Sequence, residues 1–436
     1  MEIDRIILGE GNNCIFSTDT EQTQLNHNLL VCGSSGSGKT MSITEMRLLE
    51  TFNSSLIVSL SKRKLIEKYT PLFEERGYKV LDLNFINPAK SDVSYDPLNY
   101  VRNYLDIIFL AQSIVKSDTQ KENSHADPYW DQTAISLLSA EIAYVLIMKD
   151  KPSFNDVLNF HTSLEIVDGD SVITTSLDEK FAKLRQTDLS YFALSCWKTF
   201  RQLPIRTASC VYSSLNTTLD TIFGMELRKL IALKNKLDFS KIASEKTLLF
   251  VSTSAVNPTL KFYVNMFYSQ MFKELFEYAE SRTDLNYQLP IETHIICDDF
   301  ATSRILNFSD YISICREKKI SVTLIIQSDS QLEAMYGSDN AITIRNNCDT
   351  YVFFGSSDLG TAKNISERLN VPLDEVLYMP LSKVVVFRRG SKPIITNRYN
   401  IKENKLYQKI TKQQDNHYFV NSKRNLRTCI HRDNMV

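Results

Sequence analysis

The chain has 436 residues, of which 43% are hydrophobic and 23% charged, and its formal net charge is −1. That composition, with 10% aromatic residues, excludes a largely disordered or fibrous protein, and the length exceeds one ordinary core. Bulk charge gives no reason to expect a nucleic-acid partner, and the eight cysteines contain no Cys-x-x-Cys pair.

Residues Met1 to Glu10 carry no basic, apolar targeting signal, and the stretch to about Gln24 is polar and weakly patterned. Asn28 to Cys32 is a short apolar run ending in glycines, which predicts a buried parallel strand. Ile43, Met46 and Leu49 recur at helical spacing, Leu56-Ile57-Val58 is a second strand, and Leu65 to Arg76 is a helix ended by Gly77. Tyr78 to Leu83 makes a third strand, and the alternation predicts an α/β sheet.

From 101 to 237 helical spacing dominates, notably over 101–116, 129–148 and 206–223, which predicts an inserted all-α domain. No run there reaches the ~18 uninterrupted apolar residues of a membrane helix, because Asp106 and Glu141 break the best candidates. The chain is therefore expected to be soluble, or held at a membrane by another protein. Strands resume at Thr247 to Ser252, His294 to Cys297, Ser321 to Ile326 and Thr350 to Phe354. A long helix spans about 260–282, and a hairpin flanks Gly390. The expected organisation is an N-terminal segment (1–25), a nucleotide-binding domain in two parts (26–100 and 238–400), the insertion, and a basic tail (401–436). From Arg388 onward twelve Lys and Arg face three Asp and Glu, which suits either a solvated tail or a surface for a polyanion.

Only twelve glycines occur in the chain, yet three fall within Gly33-Ser34-Ser35-Gly36-Ser37-Gly38-Lys39-Thr40. This matches the Walker A phosphate loop at every fixed position, after a strand and before a helix. Glycines let backbone N–H groups approach phosphates, and the helix start adds its dipole. Lys39 supplies an ammonium to the β- and γ-phosphates, and is expected to be a flexible surface cation. The Thr40 hydroxyl suits Mg²⁺, a hard cation that takes oxygen ligands.

Such a loop needs a carboxylate at the end of a neighbouring strand. Ile295-Ile296-Cys297-Asp298-Asp299 supplies a pair, with Asp298 expected to hold the metal and Asp299 to orient the attacking water. Gln327, at the tip of the next strand, could report the γ-phosphate, or be a polar strand end. Arg316, between those strands, is either a surface residue or an arginine finger for a neighbouring subunit, a role worth about 10³–10⁵ in rate. Cys32 and Cys297 lie in apolar runs, as buried reduced thiols do.

Taken together these blocks resemble the TraG/TraD-type coupling proteins of type IV secretion and conjugation, relatives of the FtsK and HerA translocases. Beyond the phosphate loop, the resemblance rests on Gly77-Tyr78-Lys79-Val80, Asn87-Pro88, Ser91, Tyr95-Asp96-Pro97-Leu98 and Asp127-Pro128-Tyr129-Trp130. It continues through Asp298-Asp299-Phe300-Ala301, Arg316, Gln327-Ser328, Gln331-Leu332, Tyr336-Gly337 and the block Phe354-Gly355, Asp358, Thr361-Ala362 and Ser366. It implies a RecA-like P-loop NTPase sheet with an inserted all-α domain, using ATP and Mg²⁺. It also implies a homo-hexamer around DNA, single-stranded and bound without sequence preference. The further partners implied are a relaxase or relaxosome and a membrane secretion channel or separate membrane anchor, with the chain cytoplasmic or at the cytoplasmic face of the membrane.

Three departures qualify it. Leu60-Ser61-Lys62-Arg63-Lys64 stands where the family carries Asp-Pro-Lys-Gly-Glu, Asp299 stands for glutamate, and the family's N-terminal membrane helices are not seen. Two readings follow: an ATP-driven DNA translocase, and a nucleotide-gated adaptor for a relaxase or protein cargo with little hydrolysis. A metabolic P-loop kinase is disfavoured by the size of the helical insertion and the lack of a substrate-phosphate lid.

Overall fold

The computed structural model describes residues 3–60, 63–116, 128–167, 173–254, 258–298, 300 and 304–414. A hairpin of β1 (Arg5–Ile7) and β2 (Ile15–Ser17) opens the chain. β3 (Leu29–Cys32), β4 (Ser55–Leu60) and β5 (Lys79–Asn84) follow, and a short ribbon, β6 (Ile166–Val167) and β7 (Thr174–Thr175), lies within the helical region. The remaining strands are β8 (Thr247–Ser252), β9 (Thr293–Cys297), β10 (Ile320–Ile326), β11 (Thr350–Phe353), β12 (Lys383–Arg388) and β13 (Ile394–Asn397).

Nine of these form one sheet in the order β13-β12-β11-β3-β10-β9-β4-β8-β5. Seven, from β11 to β5, run parallel, while β12 and β13 are antiparallel additions at one edge. Parallel strands covered on both faces need apolar side chains on both, and every residue of β3, β4, β8, β9, β10 and β11 is buried. The register sets Cys32 beside Ile326 and Leu324 beside Cys297. The chain therefore leaves β3, β10 and β9 at one common edge.

The expected strands appear within one or two residues of their sequence limits, with the predicted helices Lys64–Glu75, Tyr104–Val115, Pro128–Met148, Ile205–Ile222 and Pro258–Ser281. The opening segment departs from the expectation of weak patterning. Its Asp4 carboxylate accepts hydrogen bonds from the backbone N–H of Phe52 (2.7 Å), Asn53 (2.9 Å) and Ser54 (3.0 Å), tying the hairpin to the turn between the helix Met46–Leu49 and β4. The tail from 415 lies outside the described residues, and the chain before it is helical over 405–414.

The helices of the insertion share one continuous apolar core with a face of the sheet. The joint is aromatic: Phe223 of the insertion meets Tyr263 at 5.5 Å between ring centres, and Tyr263 packs in turn on Phe85 at 5.4 Å. The Tyr263 hydroxyl donates to the Tyr95 carbonyl at 2.7 Å, so the long helix Pro258–Ser281 locks the strand-exit segment in place. Helix Tyr129–Met148 is long and apolar enough to cross a membrane, but 56% of its most apolar 18-residue window is buried inside the protein. Its Glu141 is buried and accepts from the buried His161 at 2.9 Å, which is how a core helix accommodates a carboxylate.

Asp96 caps the turn Pro97–Tyr100 and accepts from the N–H of Leu98 (3.0 Å) and of Phe154 in the insertion (3.2 Å). Burial outweighs these bonds and pushes its carboxyl up to about 6. The native state thus holds this proton more tightly than the unfolded chain does. The stability it contributes is full below about pH 4 and is lost as pH rises through about 6, a cost on the order of 2–3 kcal/mol. An asparagine oxygen could accept the same two bonds without charge. Asp96→Asn should therefore raise the denaturation midpoint at pH 7–8, with the gap closing by pH 4–5. Denaturant titrations of both proteins across that range check it, and a variant less stable at every pH rejects it.

Candidate nucleotide site

The loop after β3 hangs between its two neighbouring strands. The N–H of Gly33 donates to Ile326 O at 3.3 Å on the β10 side, and that of Ser34 to Gly355 O at 2.9 Å on the β11 side. Gly33 is required by space: a Cβ there would lie 2.7 Å from Phe354 Cβ and 2.9 Å from Ser37 Oγ. Gly38 has φ +83°, where a side chain is strained. Ser35 and Gly36 face solvent, while Ser37 is buried and its hydroxyl has no hydrogen-bond partner among the described residues.

Lys39 corrects one expectation, because it is 9% exposed instead of being a flexible surface cation. Its ammonium donates to the carbonyls of Gly33 and Ser34, so it lies folded over the loop. Thr40 begins the next helix, which opens with π-type turns over Thr40–Glu45 before α-helical Met46–Leu49. The Thr40 hydroxyl donates to Asp298 Oδ2 at 2.8 Å. β10 lies between β3 and β9, so this bond spans two strand spacings, about 10 Å, and joins loop and carboxylate into one site. A bond of this charged type contributes about 1.5–3 kcal/mol.

The set fits a nucleotide's phosphates with Mg²⁺. Loop amides and Lys39 meet the anion, the unsatisfied Ser37 hydroxyl has a partner to gain, and Thr40 and Asp298 offer oxygen to a hard cation. Bound there, Mg²⁺ would neutralise phosphate charge. No group of three His, Cys, Asp or Glu side chains that could hold a metal ion occurs among the described residues.

Gln327 leaves β10 beside Gly33, exposed, with its N–H donating to Gln331 Oε1 at 3.0 Å. It is therefore at the level of the loop, as its strand position requires. Asp299 lies outside the described residues. Arg316 is not brought to the site. It is exposed in the turn Cys315–Lys318 that precedes β10, a strand length or about 20 Å from the phosphate edge.

At the same edge, Leu60 is buried and Arg63 donates to Asp82 Oδ2 (2.6 Å) and Ser252 Oγ (3.0 Å). Arg63 is thus committed to the outer strands, and Ser61 and Lys62 lie outside the described residues. Sequence reasoning missed Arg398, whose guanidinium touches the Ser37 carbonyl. It follows a strand that sequence placed correctly, but nothing in its neighbours signals where its side chain goes.

The family profile for Type IV secretory system Conjugative DNA transfer matches residues 4–370. The chain belongs to that family. Membership agrees with the architecture, since solved coupling proteins share the RecA-like sheet and all-α domain. The bacterial conjugative coupling protein TrwB lacking its first 70 residues, in complex with sulphate, aligns with a TM-score of 0.61 at 17% identity, covering 86% of this chain and 85% of that one. TrwB in complex with ADP and Mg²⁺ aligns at 0.63 and 16% identity, covering 92% and 95%. VirB4 of Thermoanaerobacter pseudethanolicus aligns at 0.56 and 13%, covering 91% and 96%. No curated protein matches by sequence.

The crowding at Gly33 gives a direct test. Gly33→Ala would force Phe354 or the loop to move, an overpacking cost on the order of 1–3 kcal/mol. The variant should show a lower denaturation midpoint and weaker binding of a fluorescent ATP analogue. An unchanged midpoint with unchanged binding would mean that the loop adapts freely.

Proposed function

We propose that this family member is a Mg²⁺-dependent ATPase that drives DNA, single-stranded and without sequence preference, toward a conjugative secretion channel. The observation that carries this reading is the Thr40–Asp298 hydrogen bond, which couples the phosphate loop to the carboxylate strand. In this reading Lys39 and the amides of Gly33 to Thr40 bind the phosphates, while Thr40 and Asp298 position the metal. Asp299 orients the lytic water, and Gln327 senses the γ-phosphate from the adjacent strand tip. Working partners are a relaxase or relaxosome and a membrane channel or anchor, at the cytoplasmic face of the membrane.

The remote position of Arg316 fits a residue that acts in trans, in a homo-hexameric ring where one subunit's turn meets the next subunit's nucleotide. Charge developing in the transition state would then be met by an arginine its own chain cannot supply. A second reading, a nucleotide-gated adaptor that hydrolyses little, is favoured by one observation. Where the family carries acids after the second strand, Leu60 is buried and Lys64 is exposed.

Steady-state ATP hydrolysis with and without single-stranded DNA separates the two. The motor reading expects stimulation by DNA and its loss in Lys39→Ala and Asp299→Asn, with Asp299→Asn still binding ATP. Binding without turnover in the unaltered protein would favour the adaptor.

The trans role has its own test. Arg316→Ala and Lys39→Ala should each be inactive, and mixing them should restore part of the activity, peaking near equal amounts. A flat profile, once subunit exchange is verified, rejects a shared site.

A further inference from the structure

Arg398 lies just past β13, and its side chain runs back along the carboxyl edge of the sheet to the phosphate loop. All three of its donor nitrogens are placed. Nη1 donates to the Ser37 carbonyl, Nη2 to the Phe354 carbonyl at 3.3 Å, and Nε to the Lys383 carbonyl at 3.3 Å. The guanidinium is 5.1 Å from the centre of the Phe354 ring, and Nη1 is 3.4 Å from where a Cβ on Gly38 would sit. Among the described residues no carboxylate pairs with it, in contrast to Arg5, Arg63, Arg102, Arg345 and Arg389. An arginine cannot shed its charge, and a half-buried one held only by carbonyl dipoles lacks an anion.

The side of the loop from which it comes fixes its role. Thr40 and Asp298, the pair suited to metal, lie toward β10 and β9. Arg398 comes from the opposite side of β3, past β11 and β12. With chemistry at the terminal phosphate assigned to the metal and carboxylate side, the inner phosphates are left for a cation on the other side.

We propose that Arg398 is a cis-acting positioning residue that binds the diphosphate portion of the nucleotide, α- and β-phosphates, as a second cation beside Lys39. A planar fork suits two phosphate oxygens at once, and the Ser37 hydroxyl is at hand as a further donor. Because β13 pairs with β12, the same side chain ties nucleotide occupancy to the antiparallel edge of the sheet. This inference rests on the nucleotide reading of the loop.

Equilibrium titration with fluorescent ADP and with a fluorescent non-hydrolysable ATP analogue tests it. Arg398→Gln removes the charge but keeps an amide donor for the loop carbonyl. It should weaken both nucleotides by the same factor, about 10- to 100-fold, while the melting temperature stays close to that of the unaltered protein. Arg398→Lys, which keeps the charge without the fork, should lose less. If the Gln variant does not fold, the Lys variant alone decides: an equal several-fold loss for both nucleotides supports the role.

Unchanged binding in the substituted protein would reduce Arg398 to a brace between hairpin and loop and overturn the proposal. Loss confined to the triphosphate would make it a γ-phosphate sensor, and would also overturn it. An unaltered protein that binds neither nucleotide, as expected of Lys39→Ala, would instead overturn the reading of the loop itself.

Discussion

The register of the parallel sheet is the constraint on which everything else depends. Cys32 beside Ile326, and Leu324 beside Cys297, mean that three strands release their chains at one edge within two residues of each other. Gly33, Gln327 and Asp298 arrive at that edge from positions as far as 294 residues apart in sequence. A one-residue slip would exchange the side chains packed on the sheet's two buried faces and move Asp298 away from Thr40. The 2.8 Å bond between those two is thus a consequence of core packing before it is a feature of chemistry.

The insertion shows the same economy. Its helices bury their apolar faces in the same core that fills one side of the sheet. Phe223 of the insertion packs on Tyr263 at the joint, and Asp96 ties the strand-exit segment to the helix that starts at Phe154. A carboxyl pushed up to about 6 at that joint is the cost of burying the Asp96 side chain, which the backbone N–H bonds it accepts only partly offset. The insertion is therefore packed as one body with a face of the sheet and not as a loosely tethered lobe.

Positive charge around the site is distributed with direction. Lys39 lies over the loop, and Arg398 meets it from the antiparallel edge. Arg63 is tied to Asp82 near the opposite edge, and Arg316 sits a strand length away. Of these four, the first two touch the glycine-rich loop of their own chain. The position of Arg316 makes any catalytic role of that residue a property of an assembly, which is where a mechanical cycle would have to couple neighbouring subunits.

Sequence alone determined the glycine-rich loop, the strand leading to Asp298, the helical insertion and the positions along the chain of nearly all sheet strands, because these are local: glycines, apolar runs and helical spacing act over a few residues. The family likeness was legible for the same reason, in short blocks at strand ends. Tertiary structure decided what depends on distant partners. It folded Lys39 onto carbonyls, brought Arg398 to Ser37 across 361 residues of sequence, and tied the weakly patterned opening to Ser54 through Asp4. None of these has a periodicity or a motif, since a side chain's destination is set by which strands pair, and pairing order is written in the summed packing of the whole core.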